Sequence, residues 1–206
     1  MASAEEWQLD SGTAQVFPAS AQGIVKPVLV AADRQAGPTD LAAFAAGLDH
    51  GSYSFLAELH ARGYDLVLIG YRDGDTPLTD HAHAVRDTVL RAASEQLGPD
   101  PLIVGGIGHG ALAARYALAE AETRKMDHRT GTYFSYNGVA PSAKEHDELE
   151  RLGDWPVRPR KLKLVSGDFA SKLNDDGFHA CKTGAANGGG PLITKELGTW
   201  LLSHLD

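Results

Sequence analysis

The residues with the clearest chemical potential crowd one turn. From Pro101 to Glu122 the chain reads PLIVGGIGHGALAARYALAEAE, a short apolar run, a glycine-crowded turn at Gly105–Gly110, and an Ala-rich segment. A helix that leaves a strand this sharply must pass close to it, so small residues are needed on both sides. Inside the turn, the His109 imidazole titrates near neutrality and can serve as a general acid or base; packing into its neighbours is the plain alternative. The same turn also fits the dinucleotide pattern G-x-G-x-x-A through Gly106, Gly108 and Ala111. That pattern calls for an acidic residue at the end of the next strand, where Asn137 stands, and it normally opens the first strand–helix unit rather than the middle of a chain. Nucleotide binding is kept as an alternative.

Other candidates are spread along the chain. Asp168, in Leu164-Val-Ser-Gly-Asp, is an acid or base candidate, with a solvated loop aspartate as its ordinary reading. His179 and Cys181 lie two apart and would share a face on a strand, the spacing of a thiol–imidazole pair; an unconnected His and a small buried Cys are commoner. His81 and His83 point apart on a helix, and no H-x-x-x-H or H-E-x-x-H spacing occurs, so no metal site is expected. No cofactor is expected either.

Short apolar runs alternate with segments of helical period. Lys26–Ala32, Asp65–Ile69, Leu102–Val104, Thr132–Tyr136 and Leu162–Val165 read as strands, most of them rich in β-branched or aromatic residues. Ser52–Arg62, Thr79–Gln96, Gly110–Lys125, Lys144–Leu152 and Thr194–Leu205 read as helices, several closed by glycine or proline at Gly63, Gly98-Pro99 and Gly153. This alternation predicts an α/β fold: a mostly parallel, doubly wound sheet with helices on both faces, as one domain over residues 1–206. Ligands of such sheets bind beyond the carboxyl ends of the strands. The residues expected there are Asp33 and Arg34, Tyr71 and Arg72, the Gly105–Gly110 turn, Asn137, and Ser166-Gly167-Asp168.

At the turn the chain resembles the α/β-hydrolase family, in which Gly-x-Ser-x-Gly runs straight into a helix. The matching residues are Gly106-Ile107-Gly108-His109-Gly110, followed by Leu112-Ala113-Ala114-Arg115-Tyr116-Ala117-Leu118. Further similarity lies in Lys26-Pro-Val-Leu-Val, in Leu56–Asp65, in Asp127–Tyr136 and in the closing Thr194–Leu205 segment. The resemblance implies the hydrolase fold with a small or absent lid, since only Gly138–Pro159 separates two strands where the family usually inserts one. It also places Gly108 at the family's serine position and Gly188-Gly189-Gly190 where its histidine belongs. A triad enzyme that loses its nucleophile loses on the order of 10⁶ in turnover. What the resemblance leaves is the oxyanion hole: the His109 N–H and a second donor from the Asp33–Arg34 loop, which would polarise a carbonyl or hold an anion in space opened by the missing hydroxymethyl group.

The functional expectation is therefore a non-hydrolytic small-molecule enzyme of isomerase, cyclase or lyase type, acting on a polyketide-like or other acyl natural product. His109, Asp168 and Arg34 are its catalytic candidates, and Asp33, Gly108, Tyr71 and Asn137 its substrate-binding ones. The competing expectation is an inactive pseudohydrolase that binds a ligand or partner. With 19 Lys and Arg against 27 Asp and Glu, the net charge of −8 argues against nucleic-acid or anionic-membrane surfaces. One cysteine excludes an internal disulfide. The stretch Met1–Gln8 lacks a basic patch followed by an apolar run, so a cytoplasmic setting is expected. An open crevice would be completed by a second copy, which makes a homo-oligomer an expected state.

Overall fold

Asp65 to Tyr71, buried at all seven positions, forms a central strand of one sheet in the computed structural model, which describes residues 5–205. Met1–Ala4 and Asp206 lie outside the described residues, and with them half of the stretch read against a signal peptide. In chain order the elements are β1 (Glu5–Gln8), β2 (Gly12–Phe17), β3 (Pro27–Ala31), α1 (Leu41–Leu48), a minimal hairpin of β4 (Asp49–His50) and β5 (Tyr53–Ser54), α2 (Phe55–Ala61), β6 (Asp65–Tyr71), α3 (Leu78–Glu95), β7 (Leu102–Ile107), α4 (His109–Thr123), β8 (Thr130–Tyr136), α5 (Ala143–Glu150), β9 (Arg160–Val165), β10 (Ala180–Thr183) and α6 (Lys195–Leu202). The main sheet has the order β1-β2-β6-β3-β7-β8-β9-β10. β3 and β6 to β10 run parallel, while β2 is antiparallel to both β1 and β6.

The period of two along β6 divides the core. Leu66 and Leu68 face one layer, with Phe55, Leu59, Phe134 and Leu197, under α1, α2 and α6. Val67 and Ile69 face the other, with Val85, Leu112 and Tyr133, under α3 and α4. Helices thus cover both faces, as expected of a doubly wound sheet. The segment between β8 and β9 holds only α5, so nothing like a large cap covers the strand ends.

The five expected strands are present, and three more flank them. β2 alternates buried and half-buried residues, the signature of an antiparallel strand covered on one face. β10 (Ala-Cys-Lys-Thr) is half-buried at best. Neither contains the continuous apolar run used to find the others. Helix α1 was also unforeseen: Leu41-Ala-Ala-Phe-Ala-Ala-Gly-Leu is only eight residues long, and Asp40 caps it by accepting the Ala43 N–H at 2.9 Å. The helix expected from Ser52 starts later, because Tyr53–Ser54 pairs with β4 and the Ser54 hydroxyl caps Ala57.

A buried carboxylate ties the lower edge of the sheet together. Asp65 accepts the Ala19 N–H at 2.8 Å on Oδ1, and the Val25 and Lys26 N–H groups at 2.6 and 2.9 Å on Oδ2. Asp65→Ala should therefore destabilise the fold by about 2–3 kcal/mol in urea titrations, since three donors lose a charged acceptor; an unchanged midpoint would rule out this role.

Candidate functional site

The site is built where β7 hands over to α4. Gly108 sits at φ 56°, ψ −123°, a backbone region that L side chains rarely adopt, and its N–H donates to the Tyr136 carbonyl at 3.0 Å. The flanking glycines let the helix approach: a Cβ on Gly110 would lie 2.3 Å from the Ala32 carbonyl oxygen, and one on Gly106 2.4 Å from the Gly110 carbonyl carbon. The result is a sharp elbow with the N-terminus of α4 aimed at the end of β3.

The N–H groups of His109 and Arg34 converge there, on the Asp33 carboxylate. Oδ1 accepts the His109 N–H at 2.7 Å and the Arg34 N–H at 2.9 Å. A Cβ placed on Gly108 would lie 2.3 Å from Asp33 Cγ and 2.4 Å from each carboxylate oxygen. This corrects the expectation that a missing hydroxymethyl group opens space for a ligand: the space is filled from within the chain. The physical reason is local. Asp33 follows β3 after one residue, and a negative charge is stabilised by the unpaired amides at a helix N-terminus.

Both amides bond Oδ1, which leaves Oδ2 as the oxygen they do not hold. Asp33 is solvent-exposed and, with Ala32, Thr39, Phe44, Ile107 and Leu192, lines a crevice of about 220 Å³. Arg34 faces the other way, into a polar crevice of about 270 Å³ shared with Asp75, Ser142, Lys144 and Glu145. Two successive residues thus present opposite charges to two neighbouring crevices.

The His109 ring lines neither crevice. It is 5% exposed, stacks edge-on against His81 at 5.4 Å between centroids, and places Nε2 3.3 Å from Glu145 Oε1. Burial pushes its pKa below 6.5, outweighing Glu145. The ring is therefore neutral around pH 7, with Nε2–H donating to the carboxylate. Burial raises the Glu145 carboxyl, but the Ser142 hydroxyl and N–H outweigh that and hold it below its ordinary range. Those contacts belong to a capping box that starts α5. Tyr71 is also buried, its ring 4.1 Å from that of His81; burial and then the nearby Asp33 charge push its hydroxyl pKa upward.

The remaining candidates lie elsewhere. Asn137 joins two strand ends: Oδ1 accepts the Ser166 N–H and Nδ2 donates to Ser166 Oγ, both at 2.8 Å. Asp168 is exposed and accepts the Gly188 N–H at 3.3 Å, so it holds the backbone of the Gly-rich loop. The Asn187 N–H first, then that of Gly188, keep its carboxyl below the usual range. His179 Nδ1 accepts the Lys161 N–H, and the exposed Cys181 thiol has a raised pKa through burial and then Asp175, so the two do not form a nucleophilic pair. The structure thus gathers Asp33, Arg34, Gly108 and the His109 backbone into one constellation, with Tyr71 behind it. Reasoning from sequence missed Glu145, although Ser142-x-x-Glu145 is a legible capping box, and weighed His81 only as a metal ligand.

Three imidazoles, His81, His109 and His128, are depressed by burial below 6.5. Between 6.5 and those lower native values the unfolded chain binds more protons than the folded one, so stability falls as pH drops through that window. Urea midpoints should decline already from pH 7 to 5.5, above the carboxylate range. A flat profile over that interval would show that these rings are protonated in the folded state.

A mostly parallel, doubly wound sheet with a glycine elbow ahead of its central helix defines the α/β-hydrolase fold. Solved structures agree. The esterase Est22 matches with a TM-score of 0.64 and 10% identity over 98% of this chain and 80% of its own. XC6422 from Xanthomonas campestris, described as an a/b serine hydrolase without lid, matches at 0.62 and 12% identity over 100% and 93%. A lipase/esterase from Lactobacillus plantarum matches at 0.58 and 13% over 98% and 97%. No family model matches the chain, and no curated protein matches its sequence. Among the described residues no helix is long and apolar enough to cross a membrane.

Proposed function

We propose that this chain is a non-hydrolytic small-molecule enzyme built on the hydrolase fold, with the Asp33 carboxylate standing in for the serine and histidine of that fold's esterases. The carrying observation is the carboxylate at the elbow, anchored through Oδ1 by two amides and lining the crevice. An anchored carboxylate is a positioned base. Oδ2 takes a proton from the carbon next to a carbonyl, the electron pair moves onto the carbonyl oxygen, and return of the proton elsewhere gives an isomer; loss of a leaving group instead gives an eliminated product. The Arg34 side chain lines the neighbouring crevice, so its charge reaches this substrate only through the field and not by contact. The crevice is small and apolar at Phe44, Ile107 and Leu192, which suits a compact acyl or ketone compound rather than a polymer.

The test is solvent exchange. Small ketones and thioesters incubated with the protein in D₂O should lose α-proton signal by NMR faster than in buffer. A fluorophosphonate probe should leave no covalent adduct. A stoichiometric adduct would overturn the reading.

A second reading is favoured by one feature: the amide pair is already satisfied by the protein's own carboxylate, as in a pseudohydrolase that binds without turnover. It predicts saturable ligand binding with no exchange. The dinucleotide alternative has no support at the elbow, because a fixed negative charge occupies the amides a pyrophosphate would need. One domain, a cytoplasmic setting and a second copy closing the open crevice are part of the same proposal.

A further inference from the structure

Behind the elbow lies a polar cluster that the proposed reaction does not use. Tyr71, His81 and His109 are 2%, 1% and 5% exposed and form one contiguous run of rings, 4.1 Å from Tyr71 to His81 and 5.4 Å from His81 to His109. Each carries a buried polar atom without a protein partner: Tyr71 Oη, His81 Nδ1 and His109 Nδ1. Buried polar groups are almost always hydrogen-bonded, so three in one cluster call for a common explanation.

Their partners on the other side fix what each atom offers. His81 Nε2 lies 3.1 Å from the Asp73 carbonyl, an acceptor, so Nε2 carries the proton and Nδ1 presents a lone pair. His109 Nε2 lies 3.3 Å from the Glu145 carboxylate, so its Nδ1 also presents a lone pair. Both rings are neutral around pH 7, through burial. Tyr71 keeps its proton and is a donor. The cluster therefore contains two acceptors and one donor, none able to satisfy the whole set directly.

We propose that Tyr71, His81 and His109 hold one internal water, which accepts from Tyr71 Oη–H and donates to His81 Nδ1 and His109 Nδ1. Three such bonds are the usual complement of a buried water. The assignment makes His109 a positioning residue, not an acid or base facing the crevice. Its ring is tied to α5 through Glu145 and to β6 and α3 through the water, while its N–H holds Asp33. Tyr71 and His81 act through it. This inference rests on the cluster alone, not on Asp33 acting as a base.

The test is NMR of ¹⁵N-histidine-labelled protein at pH 7.5, compared with Tyr71→Phe. In the wild type both rings should show the neutral Nε2–H tautomer, with Nδ1 resonances shifted from the bare lone-pair position. Imidazole Hε1 protons of both rings should show cross-relaxation to a long-lived water. In Tyr71→Phe, which removes one oxygen from an otherwise similar ring, both Nδ1 resonances should move together, although only His81 stacks on Tyr71. Bare lone-pair shifts in the wild type, absence of the water cross-peak, or movement of the His81 signal alone would each overturn the proposal. The wild-type spectra decide it even if the variant folds poorly. Failure of the exchange experiment would leave this result untouched.

Discussion

Asp33→Asn should reduce α-proton exchange by 10² to 10⁴, the usual contribution of a positioned acid–base group, while leaving the fold in place. The substitution is chosen because the asparagine carbonyl oxygen can still accept the N–H groups that Asp33 Oδ1 accepts at 2.7 and 2.9 Å. What it removes is the proton-accepting oxygen that the amides do not hold. Circular dichroism and urea midpoints should stay near wild type, which separates loss of a base from loss of the elbow. Arg34→Gln in the same assay should have a much smaller effect, because its side chain lines the neighbouring crevice and does not touch the reacting atoms. An Asp33→Asn variant that exchanges at the wild-type rate would remove the carboxylate from the chemistry and leave the ligand-binding reading.

Gly108→Ser should neither restore esterase chemistry nor be neutral. The residue would enter a backbone conformation with φ 56°, which costs a non-glycine residue about 1–3 kcal/mol. Its Cβ would meet the Asp33 carboxylate at 2.3 Å, so the carboxylate must swing away from both amides. The two sites are therefore predicted to couple. Gly108→Ser should cost less stability in an Asp33→Ala background than alone, with a coupling in the upper part of the roughly 0.5–3 kcal/mol seen for residues in contact. Hydrolysis of a p-nitrophenyl ester by the double variant should reach at most the roughly 10³- to 10⁴-fold over water that an amide pair and binding supply, because the loop at Gly188–Gly190 has no imidazole. Strict additivity of the two stability effects would mean that Asp33 does not occupy the elbow in solution.

Much of this architecture was legible because parallel strands buried on both faces must be apolar throughout. Asp65–Tyr71 and Pro27–Ala31 are buried at every position, and runs of that kind stand out. The elements that escaped are those with weaker demands. β2 needs only alternate apolar residues, β10 lies at an edge, and α1 is two turns held by one cap. The site was legible as a place but not as an arrangement. Asp33, Arg34, Gly108 and His109 were all expected near the strand ends, yet their spacing did not reveal that a side chain 75 positions before Gly108 would point its carboxylate at the elbow. That depends on β3 lying beside β7, with Ala31 opposite Gly106, a register no single segment encodes. The His109 ring shows where one segment leaves two readings open. A titratable group beside a glycine elbow reads either as an acid or base or as packing, and helix α4 is buried from His109 to Ala121, so its first side chain goes inward with the rest.

That enclosure limits how this scaffold can acquire new chemistry. Thirteen consecutive enclosed positions, six of them alanine, leave little room for larger side chains on any face of the central helix. Gly188 and Gly189, in contrast, have no neighbouring atoms where a Cβ would project, although their positive φ favours glycine. Variation at the site is thus steered to the loops at the strand tips, with the helix as a fixed datum against which they vary.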